Sequence, residues 1–141
     1  MNIDQYVRSR IVDLGRSLKN RSKIYLDLRF WIIARDVAAG MNAGAAEQEL
    51  LRLLCEGVAQ GTMICPISET TFMELMKLKK TPSSRIATAN IIDELSLGVA
   101  VIPLDLRIGT EIAQFTHARA GTQNLFSVDE LGPTLNKVIV G

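Results

Sequence analysis

The residues in this chain whose types could do chemistry are carboxylates that follow short apolar runs. The clearest is Asp27, which comes directly after Ile24-Tyr25-Leu26, a run typical of a short buried strand. In an open α/β sheet, the carboxyl end of a strand borders the crevice where ligands bind. A carboxylate held there is a natural ligand for a hard metal ion. The alternative is that Asp27 only caps the helix predicted to follow it.

Two glutamates in the middle of the chain are further candidates. The segment that begins at Ser68 reads S-E-T-T-F-M-E-L-M-K-L and predicts a helix with Ser68 at its N-cap. The predicted core face of this helix consists of Phe72, Leu75 and Met76. Glu74 lies nearly opposite that face, so it is either a solvated helix charge or a metal ligand facing a cleft. Glu69 lies near the edge of the apolar face and is a rival or supporting ligand.

A basic group follows these glutamates, at the junction of two predicted helices. It consists of Lys77, Lys79, Lys80 and Arg85. The net charge of the whole chain is only +1, so contact with phosphate must come from a local patch of this kind. The alternative is that the lysines serve solubility and complement the dipole of the preceding helix.

The composition is that of one ordinary globular domain. The 141 residues are 48% hydrophobic and 22% charged, which is enough for a core and too apolar for a disordered chain. Cys55 and Cys65 lack zinc-type spacing and follow no signal peptide, which predicts reduced thiols in a cytoplasmic protein. No apolar run approaches the roughly 18 residues that span a membrane, so we expect no membrane partner.

Hydrophobic spacing predicts helices that alternate with short apolar strands. The N-terminal helix, over residues 2–19, carries a narrow apolar stripe made of Ile3, Val7, Ile11, Leu14 and Leu18. Thr81-Pro82 is a strong helix start, and Asp105 is predicted to cap a last helix. The apolar face of that last helix consists of Ile108, Ile112 and Phe115. Further helices are predicted over 30–39 and 45–60, and strands over 24–26, 62–65, 99–102 and 137–140.

This alternation predicts an α/β fold. Strands separated by helices form a parallel sheet that is covered on both faces. We therefore expect three layers, with a mostly parallel sheet of about four strands between the helices. The amphipathic helix, in residues 1–22, precedes an α/β domain over residues 23–141 and packs either on that domain or on a second copy.

Three pieces of the sequence, in order, resemble the PIN-domain family of metal-dependent nucleases. They are I-Y-L-D-L-R-F-W-I, C-P-I-S-E-T-T-F-M-E-L-M-K-L and V-A-V-I-P-L-D-L-R-I-G-T-E-I-A-Q-F, and the likeness runs from Lys23 to Arg119. In that family a cluster of Asp and Glu holds Mg²⁺ or Mn²⁺ and activates water against a phosphodiester. The resemblance implies a PIN-like fold, RNA as substrate, and Asp27 and Glu74 as catalytic metal ligands.

The sequence departs from the family pattern in its later acids. The family supplies these from a late helix and from the end of a fourth strand. Here Asp129, in V-D-E-L-G-P, is the remaining candidate ligand, and nothing acidic follows Val140. We favour the interpretation that the chain is the front part of a longer protein and that its acidic site is incomplete.

Three functions remain as hypotheses. The first is a PIN-like, metal-dependent ribonuclease related to toxins or defence nucleases, with a protein inhibitor as a further partner. The second is a catalytically silent PIN-like module that binds RNA or a protein. The third is an α/β interaction domain that forms a homodimer through its N-terminal helix. Metal binding at Asp27 separates the first hypothesis from the others, and salt-sensitive RNA binding without cleavage selects the second.

Overall fold

The computed structural model describes residues 2–41, 43–78 and 81–121. Within these ranges the elements are α1 (Ile3–Leu18), β1 (Ser22–Lys23), α2 (Leu28–Ala38), α3 (Ala45–Ala59), β2 (Met63–Ile64), α4 (Glu69–Lys77), α5 (Pro82–Ser96) and α6 (Leu104–Arg119). The chain divides into two compact units. One contains the residues up to Arg21 and the segment that begins at Ile102, and the other is Ser22–Val101.

The predicted three-layer fold with a sheet of about four strands is wrong. The described residues are mostly helical, and their sheet consists of β1 and β2, which pair in parallel with Ser22 opposite Met63. The strand predicted over 99–102 is reduced to a single bridge between Ile67 and Ala100. The strand predicted over 137–140 lies outside the described residues.

The apolar runs are too short to build the predicted sheet. After β1 the ladder gains one more hydrogen bond, from Ile24 N to Ile64 O at 2.9 Å, and α2 then begins at Leu28. Pro66 and Pro103 follow the second and third apolar runs, and proline cannot donate a ladder hydrogen bond. Because each run has only three or four residues before a helix or a proline, the helices take most of the chain.

The helix predictions are confirmed more often than the strand predictions. Ser68 caps α4 by accepting a hydrogen bond from Thr71 N at 3.1 Å, and Thr81 caps α5 by accepting one from Ser84 N at 3.4 Å. The prediction that Asp105 caps the last helix is wrong. Pro103 stands at the N-cap of α6, so Asp105 lies inside the first turn, where its charge suits the helix dipole.

The core of the Ser22–Val101 unit is built around Trp31, which is 1% exposed. The indole Nε1 of Trp31 donates a hydrogen bond to Leu26 O at 3.1 Å, which satisfies the polar edge of this buried ring. Gly57 lets α3 approach β2 closely, because a Cβ at this position would lie 2.4 Å from Met63 Cε. The remaining core residues are Leu26, Ala34, Leu54, Val58, Cys65, Ile67, Leu75, Ile91, Ile92 and Leu95.

The described residues of the other unit bury little of their apolar surface. On α1 only Gly15 and Leu18 are buried, and no residue of α6 is buried. The apolar faces predicted for these two helices are therefore exposed along most of their length. Across residues 2–41, 43–78 and 81–121, no helix has both the length and the apolar character needed to cross a membrane.

Candidate functional site

Asp27 occupies the N-cap of α2, as the capping alternative predicted. Its Oδ1 accepts a hydrogen bond from Phe30 N at 3.1 Å, and its carbonyl oxygen accepts one from Trp31 N at 3.2 Å. The side chain is exposed, and among the described residues Phe30 supplies the only hydrogen bond to the carboxylate. Capping therefore fixes the position of Asp27 and leaves its second oxygen open to solvent.

Three hydroxyl groups link the segment before Asp27 to the beginning of α4. The Tyr25 hydroxyl lies 3.0 Å from Ser68 Oγ and 3.3 Å from Thr71 Oγ1. Ser68 Oγ donates in turn to Thr71 Oγ1 at 2.9 Å. Tyr25 and Ser68 are 43 residues apart in sequence, so this cluster ties the start of α2 to the first turn of α4.

Exposed and buried side chains alternate in the segment that leads into α2. Tyr25 is exposed, Leu26 is 6% exposed and Asp27 is exposed again, which is the alternation of extended backbone. Side chains two residues apart in such a segment point to one side and are separated by about 7 Å. Asp27 is therefore two residues from the side chain that contacts α4. We call this group of residues the Asp27 site: Tyr25, Asp27, Ser68, Thr71 and Glu74.

The buried face of α4 differs from the predicted one. Thr71 is 5% exposed and Leu75 is 3% exposed, so the inward direction of the helix passes between them. The prediction that Phe72 and Met76 belong to the core face is wrong, because their side chains are 41% and 50% exposed. Thr71 replaces them inside because its hydroxyl has partners there.

The burial of Thr71 also changes where the two glutamates lie relative to the inward face of α4. Glu74 lies three residues after Thr71, only about 60° away around the helix, at the edge of the buried face. Glu69 lies about 160° from Thr71 and points away from that face. Both carboxylates are exposed. Glu74 therefore lies closer than Glu69 to the side of α4 that carries the Tyr25 contact.

The donors at this site suit a hydrated hard cation. Within the described residues, no three Asp, Glu, His or Cys side chains stand close enough together to hold a metal ion. Asp129, the third predicted ligand, lies outside those residues. Mg²⁺ keeps several waters and binds through one or two carboxylates, so the donor types of Asp27 and Glu74 suit such an ion.

Two members of the predicted basic group lie on α4 and α5. Lys77 is the last residue of α4 and lies one turn beyond Glu74 on the same side of the helix, and Arg85 lies in the first turn of α5. Both side chains are exposed. Lys79 and Lys80 lie outside the described residues.

The two thiols are poorly suited to nucleophilic chemistry. Burial raises the pKa of Cys65 to about 11. Burial, together with a hydrogen bond to Glu94 and its negative charge, raises the pKa of Cys55 to about 12. Both thiols are unpaired and stay protonated near neutral pH, and only a thiolate is a strong nucleophile.

Neither Tyr25 nor Thr71 carries a sequence pattern typical of a functional site. Tyr25 was predicted only as a strand residue, and its contact with α4 depends on the folded arrangement of two distant segments. Comparison with known proteins does not add to this, since no family model, curated protein or solved structure is significantly similar to the chain.

Proposed function

We propose that this protein is a metal-dependent ribonuclease, the activity of the PIN-domain family that its sequence resembles. Asp27 is the principal metal ligand in this proposal and Glu74 the second. The observation that supports it is the contact of the Tyr25 hydroxyl with Ser68 and Thr71. This contact holds the segment that ends in Asp27 against the helix that carries Glu74.

The acidic residues would bind the metal ion, and nearby basic residues would bind the RNA. The α2 cap holds the Asp27 carboxylate on rigid backbone, and Glu74 adds a second hard oxygen donor from α4. Mg²⁺ or Mn²⁺ bound there would lower the pKa of a bound water and offset the charge of the phosphate. Lys77 and Arg85, on the helices that follow, would contact the RNA backbone.

Two carboxylates predict weak metal binding and slow cleavage. Metal-assisted hydrolysis needs several ligands to fix both the ion and the attacking water. The third predicted acid, Asp129, lies outside the described residues. We therefore expect the 141-residue chain to bind Mn²⁺ or Mg²⁺ loosely and to turn over RNA slowly.

A second candidate function is RNA or protein binding without catalysis. It is favoured by one observation, the lack of a three-acid group among the described residues. In that case Lys77 and Arg85 would still bind phosphate, and the affinity for RNA would fall steeply with salt and would not depend on a metal.

A Mn²⁺ titration with three matched variants separates the two functions. Asp27→Asn keeps a capping side chain and removes the charge, so it should abolish Mn²⁺ binding without unfolding α2. Glu74→Gln should weaken binding, and Glu69→Gln on the far side of the same helix should not. An RNA cleavage assay runs alongside. Equal Mn²⁺ affinity in wild type and Asp27→Asn would remove Asp27 from the site, and salt-sensitive RNA binding with no Mn²⁺ binding would select the second function.

A further inference from the structure

Among the described residues, helices α1 and α6 carry exposed apolar stripes with the same spacing. Each helix has 16 residues. Successive members of each stripe are four, four and three residues apart, which places them on one side of the helix. The α1 stripe consists of Ile3, Val7, Ile11 and Leu14, and the α6 stripe consists of Leu104, Ile108, Ile112 and Phe115.

Both stripes are open to solvent. Exposure ranges from 41% at Leu14 to 78% at Ile3 on α1, and from 45% at Ile108 to 65% at Phe115 on α6. The half-buried residues of α6 are mostly polar and include Arg107, Thr110 and Gln114, so this helix leaves its apolar side outside. A helix of this length depends on packing of its apolar side for most of its stability.

The area of the two stripes matches what a stable dimer needs. Together they leave about 800 Å² open, counting about 180 Å² for each fully exposed large apolar residue. A standard interface buries about 800 Å² on each partner. One stripe alone supplies about half of that area, so both helices must take part.

We propose that a second copy of this chain covers the α1 and α6 stripes. On α6 the first turn carries the acid Asp105 and the last turn carries the base Arg119. Antiparallel packing of two such helices, one from each copy, brings opposite charges together, whereas parallel packing opposes like charges. A two-fold axis produces such antiparallel pairs from identical helices. The surface is independent of the Asp27 site.

Sedimentation of the full chain, from micromolar to hundreds of micromolar concentration, tests the dimer. The wild type should sediment at twice its mass of 15.5 kDa. Ile112→Glu places a charge in an apolar interface on both copies and should raise the dimer Kd by about 100-fold or more. The matched control is Leu106→Glu, because Leu106 is 57% exposed on the same helix but about 160° from the stripe. This control should change the Kd by less than about threefold.

A second variant protects the test against misfolding. Ile11→Glu, on the α1 stripe, should weaken the dimer as Ile112→Glu does, and circular dichroism should show that each variant keeps its helical content. A monomer throughout the concentration range would overturn the proposal and would indicate that another part of the chain or another protein covers the stripes. A dimer whose Kd is unchanged in both Ile11→Glu and Ile112→Glu would overturn it equally.

Discussion

The hydroxyl of Tyr25 should contribute measurably to stability, because it joins two distant segments. Tyr25→Phe keeps the ring and removes the contacts of 3.0 Å to Ser68 Oγ and 3.3 Å to Thr71 Oγ1. A typical hydrogen bond contributes about 1 kcal/mol net, and the longer of these two contributes less. Thr71 keeps its contact with Ser68, so no buried hydroxyl is left without a partner. We expect Tyr25→Phe to lower the free energy of unfolding by about 1 kcal/mol.

Urea unfolding at a fixed protein concentration measures this loss, and Tyr6→Phe is its matched control. Tyr6 is 53% exposed on α1, and its hydroxyl makes no hydrogen bond within the described part of the chain, so Tyr6→Phe should leave stability unchanged. A double-mutant cycle of Tyr25→Phe with Ser68→Ala should give a coupling energy of about 0.5–1 kcal/mol. Zero coupling, with a Tyr25→Phe loss equal to that of the control, would refute the link between the two segments.

Three further predictions concern other parts of the molecule. A triple variant with alanine at Lys77, Lys79 and Lys80 should bind RNA more weakly. In a filter-binding salt series, its slope of log K against log salt should be flatter by about two for single-stranded RNA. The pKa values of Cys55 and Cys65 are raised in the folded state, so folding favours their protonated thiols. Their contribution to the free energy of unfolding should be fully present below about pH 9 and be lost between pH 9 and about 12. A free energy of unfolding that stays constant over that range would contradict this. Trp31→Ala should cost about 3–5 kcal/mol in urea unfolding, and a loss under 1 kcal/mol would mean that the ring is not central to the core.

Helix starts were predictable because their signals are local. Ser68 and Thr81-Pro82 carry capping chemistry within four residues, and both start helices in the structure. The strands were not predictable in the same way, because pairing depends on a partner elsewhere in the chain. Ile24-Tyr25-Leu26 has strand-like composition, yet its ladder ends at Ile24, since Tyr25 turns toward α4 and Leu26 packs into the core.

The candidate site was predictable in its residues but not in its geometry. Asp27 and Glu74 were identified from composition and resemblance. Periodicity correctly puts Glu74 outside. It also puts Phe72 and Met76 inside, because it ranks side chains by apolarity alone. Thr71 is buried instead, since its hydroxyl is bonded by Tyr25 and Ser68, and the sequence near Thr71 contains no sign of that contact.

The metal site that we propose joins the start of α2 to Glu74 on α4, and paramagnetic broadening tests it most directly. Mn²⁺ would be added in small amounts to the isotope-labelled chain, and the loss of each backbone amide signal would be followed by NMR. We predict that the signals of Asp27, Phe30 and Thr71 broaden together at the lowest Mn²⁺ levels, and that Asp27→Asn removes the effect. Broadening that is confined to one of the two helices, or that persists unchanged in Asp27→Asn, would contradict the account.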